Sequence, residues 1–248
     1  MVIYDLNCYL HAKLGIIQQI RVFQSERMVK ISVSEELSAL VEGLVLCCIE
    51  CDVEVRPSPA ELSDLMEKEA AGLASTLTTE DISRLPAISA SRRAYRLCGK
   101  DPARYRLSAE ALLRRIVKGT GLYSISNVVD LLNLVSFTTG FSIGGYDADA
   151  IAGDVVFGIG CPDEMYEGVG RGVLNIEGLP VFRDSTGAFG SPTSDSERTA
   201  VNSLTGRFLM VIISFGGRET LDQACSLAIG LLEKYASAKN IEIKTIGN

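Results

Sequence analysis

The second half of the chain consists of short apolar runs that glycines separate. After Gly140 these runs are DVVFGIG, GVLNIEGLPVF and RFLMVIISF, each of strand length and rich in β-branched or aromatic residues. Runs of this kind between turn residues are typical of β-strands. The longest apolar run, Phe208–Phe215, is far shorter than the roughly 20 residues that span a bilayer. It therefore predicts a buried strand, and no membrane association is expected.

The first half has the residue spacing of helices. In RYRLSAEALLRRIVKG, Ser108 is predicted to cap a helix with Glu110 in its first turn and Gly119 at its end. Other helices are predicted to begin after Pro59 and at a cap on Thr79. The remaining predicted elements are a strand at 29–33, a helix at 35–42, a strand at 44–55, helices at 128–137 and 219–236, and a last strand, IEIKTI. This order predicts an α+β fold, with a helical N-terminal half packed on a β-rich half.

The composition is that of a globular chain, and Met28 resembles a second start. The chain has 248 residues, of which 47% are hydrophobic and 22% charged. MVKISVSEEL, from Met28, predicts a strand followed by a helix that Ser34 caps. We therefore expect residues 1–27 to be an extension outside the fold and 28–248 to form one domain; the sequence leaves open whether Met1 or Met28 is the true start. The N-terminus reads poorly as a signal peptide, which predicts a cytoplasmic protein.

Cysteine and histidine usage argues against metal and nucleophile chemistry. Seven scattered cysteines suit a reducing compartment. Cys48 and Cys51 form a CxxC pair, but the pair lies in the strand-like run LVLCCIECDVEV, so buried structural cysteines are favoured over a redox or zinc site. His11 is the single histidine, which makes a histidine-dependent nucleophile improbable. No metal and no cofactor are expected.

The glycine cluster GVGRG, Gly168 to Gly172, lacks the spacing of the nucleotide-binding motifs. A strand-like run follows it rather than a helix, whose N-terminus would be needed to bind a phosphate. Tight β-turns are the preferred interpretation.

Charge is unevenly distributed. Between Arg92 and Lys118 the chain carries nine basic and two acidic residues, within a molecule of net charge −7. Arginine predominates over lysine in this segment, and its planar guanidinium suits phosphate recognition. Tyr95, Tyr105 and Tyr123 lie in or beside it and offer faces for stacking on unpaired bases. RNA binding and intramolecular ion pairing both remain open at this point.

The segment GSPTSDSERT, from Gly190 to Thr199, concentrates hydroxyls around Asp195 and Arg198. Such a loop can hydrogen-bond an amino acid, a ribose or a phosphate. In the alternative interpretation, Asp195 pairs with Arg198 and the hydroxyls close local turns.

Long motifs of the chain resemble a known family. The run NVVDLLNLVSFTTGFSIGGYDADAIAGDVVF, Asn127 to Phe157, resembles the B3/B4 editing domain of the phenylalanyl-tRNA synthetase beta subunit, and the likeness extends to about Phe215. From Met28 onward the chain is still more similar to stand-alone B3/B4 proteins, through GKDPARYRLSAEALLRR, SIGGYD and GSPTSDSERT. The resemblance implies a three-layer module with a β-sandwich-like core that binds charged tRNA ends or a related small molecule.

Three positions of the chain depart from the synthetase pattern. Where the synthetase pattern has Thr, His and Glu, this chain has Leu132, Gly144 and Val211, so the tyrosine-editing chemistry of the synthetase is not expected here. Asp195 is predicted to be catalytic. The predicted substrate-binding residues are Asn133, Gly144, Gly145, Ser191, Thr193, Ser194 and Arg198. The predicted RNA-binding residues are Arg104, Arg106, Arg114 and Arg115.

Three functions follow as hypotheses. In the first, the protein binds tRNA or its aminoacylated 3′ end and hydrolyses a mischarged species in trans. In the second, it binds a free amino acid or related metabolite without catalysis. In the third, it is a retired enzyme kept as an interaction module. An aminoacyl-tRNA ligase is excluded because no part of the sequence resembles an ATP-binding synthetase core, and no DNA partner is expected because the chain is acidic overall.

Overall fold

A computed structural model describes residues 28–247. Residues 1–27, with His11 and the predicted N-terminal extension, lie outside the described residues, and so does Asn248. Whether residues 28–248 act as one domain therefore stays a prediction.

Ten strands form two four-stranded sheets and a small hairpin within residues 28–247. Their bounds are β1 Ile31–Val33, β2 Val45–Asp52, β3 Ser142–Asp147, β4 Val155–Ile159, β5 Glu167–Gly168, β6 Gly172–Val173, β7 Pro180–Asp184, β8 Gly187–Gly190, β9 Arg207–Ser214 and β10 Lys239–Ile246. The first sheet has the order β1-β4-β7-β8, with β1 and β4 parallel. The second sheet has the order β10-β2-β9-β3 and is antiparallel throughout.

Seven α-helices connect and cover these sheets in the described part of the chain. Their bounds are α1 Glu35–Leu40, α2 Ala60–Thr76, α3 Thr79–Ile82, α4 Pro86–Leu97, α5 Ser108–Val117, α6 Asn127–Thr139 and α7 Leu221–Tyr235. Two 3-10 turns, Ala148–Ala150 and Glu197–Thr199, complete the structure. No helix among residues 28–247 combines the length and apolarity that crossing a membrane requires.

The molecule has three layers because the second sheet is apolar on both faces. On β2, Leu46 and Cys48 pack toward the first sheet, whereas Val45, Cys47 and Ile49 pack against the helices. This alternation follows the period-two geometry of a strand. The layers are therefore helices, second sheet and first sheet, which confirms the predicted α+β fold with helices packed on a β-sandwich-like core.

Helix starts agree with the sequence at some positions and differ at others. Ser34 accepts a hydrogen bond from the Leu37 N–H and caps α1 as predicted. Thr78, one residue before the predicted Thr79, caps α3 in a capping box with Asp81. The Ser108 prediction was wrong. Leu107 is the N-cap residue of α5, Ser108 is its first helical residue, and no side chain caps this helix. The Ser108 N–H donates to the Pro192 carbonyl.

The cysteines and the glycine cluster have the predicted structural roles. Cys47, Cys48 and Cys51 are buried in β2. Burial raises the pKa of both Cys48 and Cys51 to about 12, which keeps them as unreactive thiols near neutral pH. The segment 168–172 forms the turn of the β5–β6 hairpin, in which Gly170 and Gly172 have positive φ. Within residues 28–247, no group of three or more Cys, His, Asp or Glu side chains is arranged to hold a metal ion.

Candidate functional site

A cavity of about 250 Å³ lies between the helical layer and the hydroxyl-rich loop. It is bounded by α5, α6, β3 and the segment 191–201. The structure brings five of the predicted site residues to its lining: Asn133, Gly145, Ser191, Ser194 and Asp195. These residues are up to 62 positions apart in sequence, and the fold places them around one space.

Three other predicted site residues do not line this cavity. Gly144 faces the core between the two sheets, where it adjoins the Tyr146 ring. The Thr193 hydroxyl shares a 2.9 Å hydrogen bond with the buried Tyr95 hydroxyl. Arg198 donates to both carboxylate oxygens of Asp184, each at 2.9 Å.

Arg198 pairs with Asp184 rather than with Asp195, the partner it has in the alternative interpretation of the loop. The Asp184 side chain is fully buried and also accepts hydrogen bonds from the Ala152 and Thr186 N–H groups. Although burial raises its pKa, the hydrogen bonds from Arg198 and these other donors lower it to about 2. Arg198 is therefore committed to a structural pair and does not act in the cavity.

Three buried tyrosines hold the hydroxyl-rich loop in place. Tyr95 bonds to Thr193 as described, and the Tyr166 hydroxyl donates to the Ser194 carbonyl at 2.5 Å. The Tyr146 hydroxyl donates to Asp195 Oδ1 at 2.8 Å. Tyr95, predicted as a stacking face for bases, is fully buried and cannot stack on a ligand. The three tyrosines instead hold the loop through hydrogen bonds on its buried side.

Ser191 follows the local interpretation of the loop. Its hydroxyl donates to the Ser194 carbonyl at 2.9 Å and accepts from the Ser194 N–H at 3.1 Å. It also accepts a weaker bond from the Thr193 N–H. Ser191 thus closes a turn, and that turn presents the next carboxylate, Asp195, to the cavity.

Tyr146 reaches Asp195 through a gap that two glycines leave. A Cβ added to Gly144 would lie 2.0 Å from the Tyr146 hydroxyl oxygen, and one added to Gly190 would lie 2.2 Å from it. Both distances are far below van der Waals contact. The pair Gly144 and Gly190, one from each sheet, therefore makes room for the Tyr146–Asp195 hydrogen bond.

Replacing Gly190 with alanine should consequently disturb both the core and the site. We expect Gly190→Ala to lower the free energy of unfolding by about 1–3 kcal/mol, since overpacking a filled core forces neighbours to move. Chemical denaturation measures this change. Gly206→Ala provides the control, because open space surrounds a Cβ added at that position. Gly187 is unsuitable as a control position because it has positive φ. Equal stability of the two variants would contradict the proposed gap.

Asp195 is the charged residue that lines the cavity. Burial raises its pKa to about 7, and the hydrogen bonds from Tyr146, Gly145 and Ser191 offset this effect only in part. No arginine or lysine of the described chain lines the cavity with it. Asp195 therefore changes its charge near neutral pH, as a general base or a counter-ion for an ammonium group can.

Two further polar side chains in the cavity are free to bind a ligand. Asn133, from α6, and Ser108, from the first turn of α5, both line the cavity. Neither side chain has a hydrogen-bond partner among residues 28–247. Local pattern predicted only a capping role for Ser108, because its contact with the distant Pro192 carbonyl is not visible in the sequence.

The remaining wall is apolar and includes Leu132, Ile143 and Phe208. Leu132 fills the space above Gly145, where an added Cβ would lie 2.5 Å from its Cδ1. Val211, aligned with a polar position of the synthetase pattern, packs in the core between the sheets and not in the cavity. Because strand side chains alternate, its neighbours Met210 and Ile212 face the helices instead.

The predicted RNA-binding arginines divide into paired and exposed ones. Arg114 donates to buried Glu110 at 3.0 Å. Arg115 donates to two backbone carbonyls and covers the Tyr123 ring at 4.3 Å. Arg104 and Arg106 are exposed. Intramolecular pairing and solvent exposure thus both occur within the basic segment.

The comparison with protein families matches this architecture. The B3/4 domain family matches residues 90–243, which include the cavity, both of its helices and the hydroxyl-rich loop. The chain belongs to the B3/4 domain family. No curated protein matches this B3/4 chain.

Among solved structures, the B3/4 chain is similar to an N-terminal fragment of the phenylalanyl-tRNA synthetase beta subunit from Pyrococcus horikoshii. The two share 14% sequence identity with a TM-score of 0.48. The match covers 86% of this chain and 50% of the fragment, so the chain spans half the length of that structure.

Proposed function

We propose that this B3/4 protein binds the aminoacylated 3′ end of a tRNA and hydrolyses its ester bond in the cytoplasm. The observation that carries the proposal is Asp195, a cavity carboxylate with a pKa of about 7 and no cationic partner lining the cavity. A general base is most effective when its pKa lies near the working pH. The motifs shared with the synthetase editing domain support an aminoacyl ester as the substrate.

The cavity supplies the groups that ester hydrolysis requires. Tyr146 donates to Asp195 Oδ1 at 2.8 Å, whereas the contact of the Gly145 N–H with Oδ2 is long, at 3.4 Å. Oδ2 takes a proton from water as the water oxygen attacks the ester carbonyl carbon. The Asn133 amide and the Ser108 hydroxyl stabilise the negative charge on the carbonyl oxygen. When the carbon–oxygen bond to the ribose breaks, the protonated carboxyl returns its proton to the ribose oxygen.

The exposed arginines next to α5 support binding of the RNA. Arg104 and Arg106 are exposed and precede Ser108, which lines the cavity, by four and two residues. Arginine side chains bind phosphates through charge-assisted hydrogen bonds. In this proposal Arg104 and Arg106 contact the phosphates near the 3′ end. Arg114 and Arg115 act mainly by holding Glu110 and the Tyr123 ring, respectively.

A second candidate function is the binding of a free amino acid. It is supported by the Asp195 carboxylate in the cavity lining, which suits the α-ammonium group that a free amino acid shares with an aminoacyl ester. The cavity volume of about 250 Å³ lies below the roughly 300–1,000 Å³ of sites for drug-sized ligands. Asp195 then serves as a counter-ion and no bond is broken.

The pH dependence of hydrolysis tests the proposal. We expect amino acid release from at least one member of a panel of correctly and wrongly charged tRNAs. The rate, corrected for spontaneous hydrolysis, should rise with pH to a plateau with a midpoint near 7, because the base acts only when Asp195 is ionised. Radiolabelled amino acid on the tRNA allows release to be followed directly.

Calorimetry with free amino acids separates the two candidates. No release from any charged tRNA, combined with binding of a free amino acid, would reject hydrolysis and support the second function. Release with a flat corrected pH profile would retain hydrolysis but reject Asp195 as its base.

A further inference from the structure

We infer that a second cavity beside Tyr123 binds the terminal nucleobase of the RNA, an inference that rests on the proposed tRNA-binding function. This cavity has a volume of about 410 Å³ and lies between α2, the end of α5 and the segment 119–124. It is separate from the cavity that contains Asp195, and none of its lining residues belongs to the predicted site.

Tyr123 has the geometry of a stacking platform. Tyr123 is 69% exposed, so its ring is accessible to a ligand. The Arg115 guanidinium lies 4.3 Å from the ring centroid and is itself held by the Gly121 and Thr120 carbonyls at 3.1 and 3.3 Å. Arg115 thus supports the ring from one side and contributes a fixed positive charge. Aromatic and arginine faces of this kind are what unpaired bases stack on.

The wall that α2 contributes to the second cavity suits a flat ligand. Helix α2 contributes Ala70, Ala71 and Ala74, whose small side chains leave a smooth surface. Glu67 lines the same wall and has no hydrogen-bond partner among residues 28–247. Its carboxylate can accept a hydrogen bond from the exocyclic amine of a base and repels a phosphate. This wall therefore favours a base over the phosphate backbone.

The segment beside Tyr123 is held in position by a buried carboxylate. Asp130, in the first turn of α6, accepts hydrogen bonds from the Ser124 hydroxyl at 2.9 Å and the Ile125 N–H at 3.0 Å. The Ser58 hydroxyl also donates to it at 2.5 Å. The loop between the two cavities is consequently ordered before any ligand binds.

Neighbouring residues of this loop line the two cavities. Tyr123 lines the second cavity, and Ile125 lines the cavity that contains Asp195. The Tyr123 and Ile125 Cα atoms are at most about 7 Å apart, so both cavities adjoin one short stretch of this loop. In this inference the acyl group of one aminoacyl-nucleotide occupies the first cavity and its base reaches Tyr123.

A fluorescent base at the 3′ end tests the inference. A tRNA with 2-aminopurine in place of its terminal adenine is titrated with the full chain, and quenching reports stacking. We expect the wild type and Tyr123→Phe to quench the probe. Tyr123→Ala should abolish quenching and weaken tRNA binding about 5- to 100-fold, the loss of one stacked base. Leu204→Ala, which removes another highly exposed apolar side chain, should behave as the wild type.

The outcomes separate this inference from the proposed function. A tRNA that lacks its terminal nucleotide should bind the wild type as weakly as intact tRNA binds Tyr123→Ala. Tight tRNA binding with equal quenching by the wild type and Tyr123→Ala overturns the stacking site and leaves the proposed function standing. An equal loss in Tyr123→Phe assigns the effect to the hydroxyl and also overturns the stacking site. Absence of any tRNA binding by the wild type overturns both.

Discussion

Asp195→Asn is expected to reduce ester hydrolysis by about 10²- to 10⁴-fold, the usual contribution of a general base. Asparagine keeps the size of the side chain and an oxygen that accepts the hydrogen bond from Tyr146, but it cannot take a proton from water. Single-turnover release of amino acid from charged tRNA measures the change. Binding of the charged tRNA should be retained, because Arg104 and Arg106 lie outside the cavity lining. If Asp195 were instead a counter-ion for the ammonium group, affinity would fall with the substitution.

The same substitution should stabilise the protein at alkaline pH. The Asp195 carboxyl has a pKa near 3.8 in an unfolded chain and about 7 in the fold because of burial. Between these values the folded state holds a proton that the unfolded state has lost, so stability falls as pH rises from 4 through 7. A shift of three pKa units corresponds to at most about 4 kcal/mol. Above pH 7 this cost is complete in the wild type and absent in Asp195→Asn.

Urea denaturation of the wild type and Asp195→Asn from pH 4 to pH 9 provides the measurement. The difference between the two free energies of unfolding isolates Asp195, since all other titrating groups are shared. We expect a small difference at pH 4 and an advantage of about 2–4 kcal/mol for Asp195→Asn at pH 8. Asp163→Asn, at an exposed carboxylate, should show no such trend. A difference that does not change with pH would refute the raised pKa.

Local pattern was sufficient for most elements of the fold. Helical spacing and capping predicted α6 between 128 and 137, and the structure extends it to Asn127–Thr139 with Ser126 as its cap. The apolar run at 208–215 is β9 with a shift of one residue. These features depend on residues three or four apart or on strict alternation, which are visible in the chain itself.

The contacts that make the site depend on distant residues, and local pattern does not contain them. Arg198 pairs with Asp184 rather than with Asp195, although Asp195 is nearer in sequence. Tyr146 reaches Asp195 across 49 residues, and only the gap beside Gly144 and Gly190 explains how. The resemblance drew attention to the loop that borders the cavity, whereas the contacts of each side chain depend on the packing of both sheets.

Glu110→Gln should destabilise the protein strongly because Glu110, in α5, pairs with one arginine of α4 and one of its own helix. Its side chain is 1% exposed, and its two oxygens accept from Arg92 in α4 at 2.9 Å and from Arg114 in α5 at 3.0 Å. Removing one partner of a buried ion pair leaves unpaired charge and costs about 3–5 kcal/mol. Glutamine preserves the volume, so this loss measures charge rather than packing. Chemical denaturation at pH 7 gives the value, with Glu67→Gln at an exposed position of α2 as the control.

The Glu110 result also decides how the basic segment should be interpreted. If Arg92 and Arg114 are structural, Arg114→Gln destabilises the fold as Glu110→Gln does. The tRNA affinity of the folded Arg114→Gln protein then stays near that of the wild type. Arg106→Gln, at an exposed position, shows the opposite pattern: unchanged stability and weaker, less salt-dependent tRNA binding. A stable Glu110→Gln protein would mean that the arginines do not depend on their buried partner, and Arg114 would return to the set of RNA contacts.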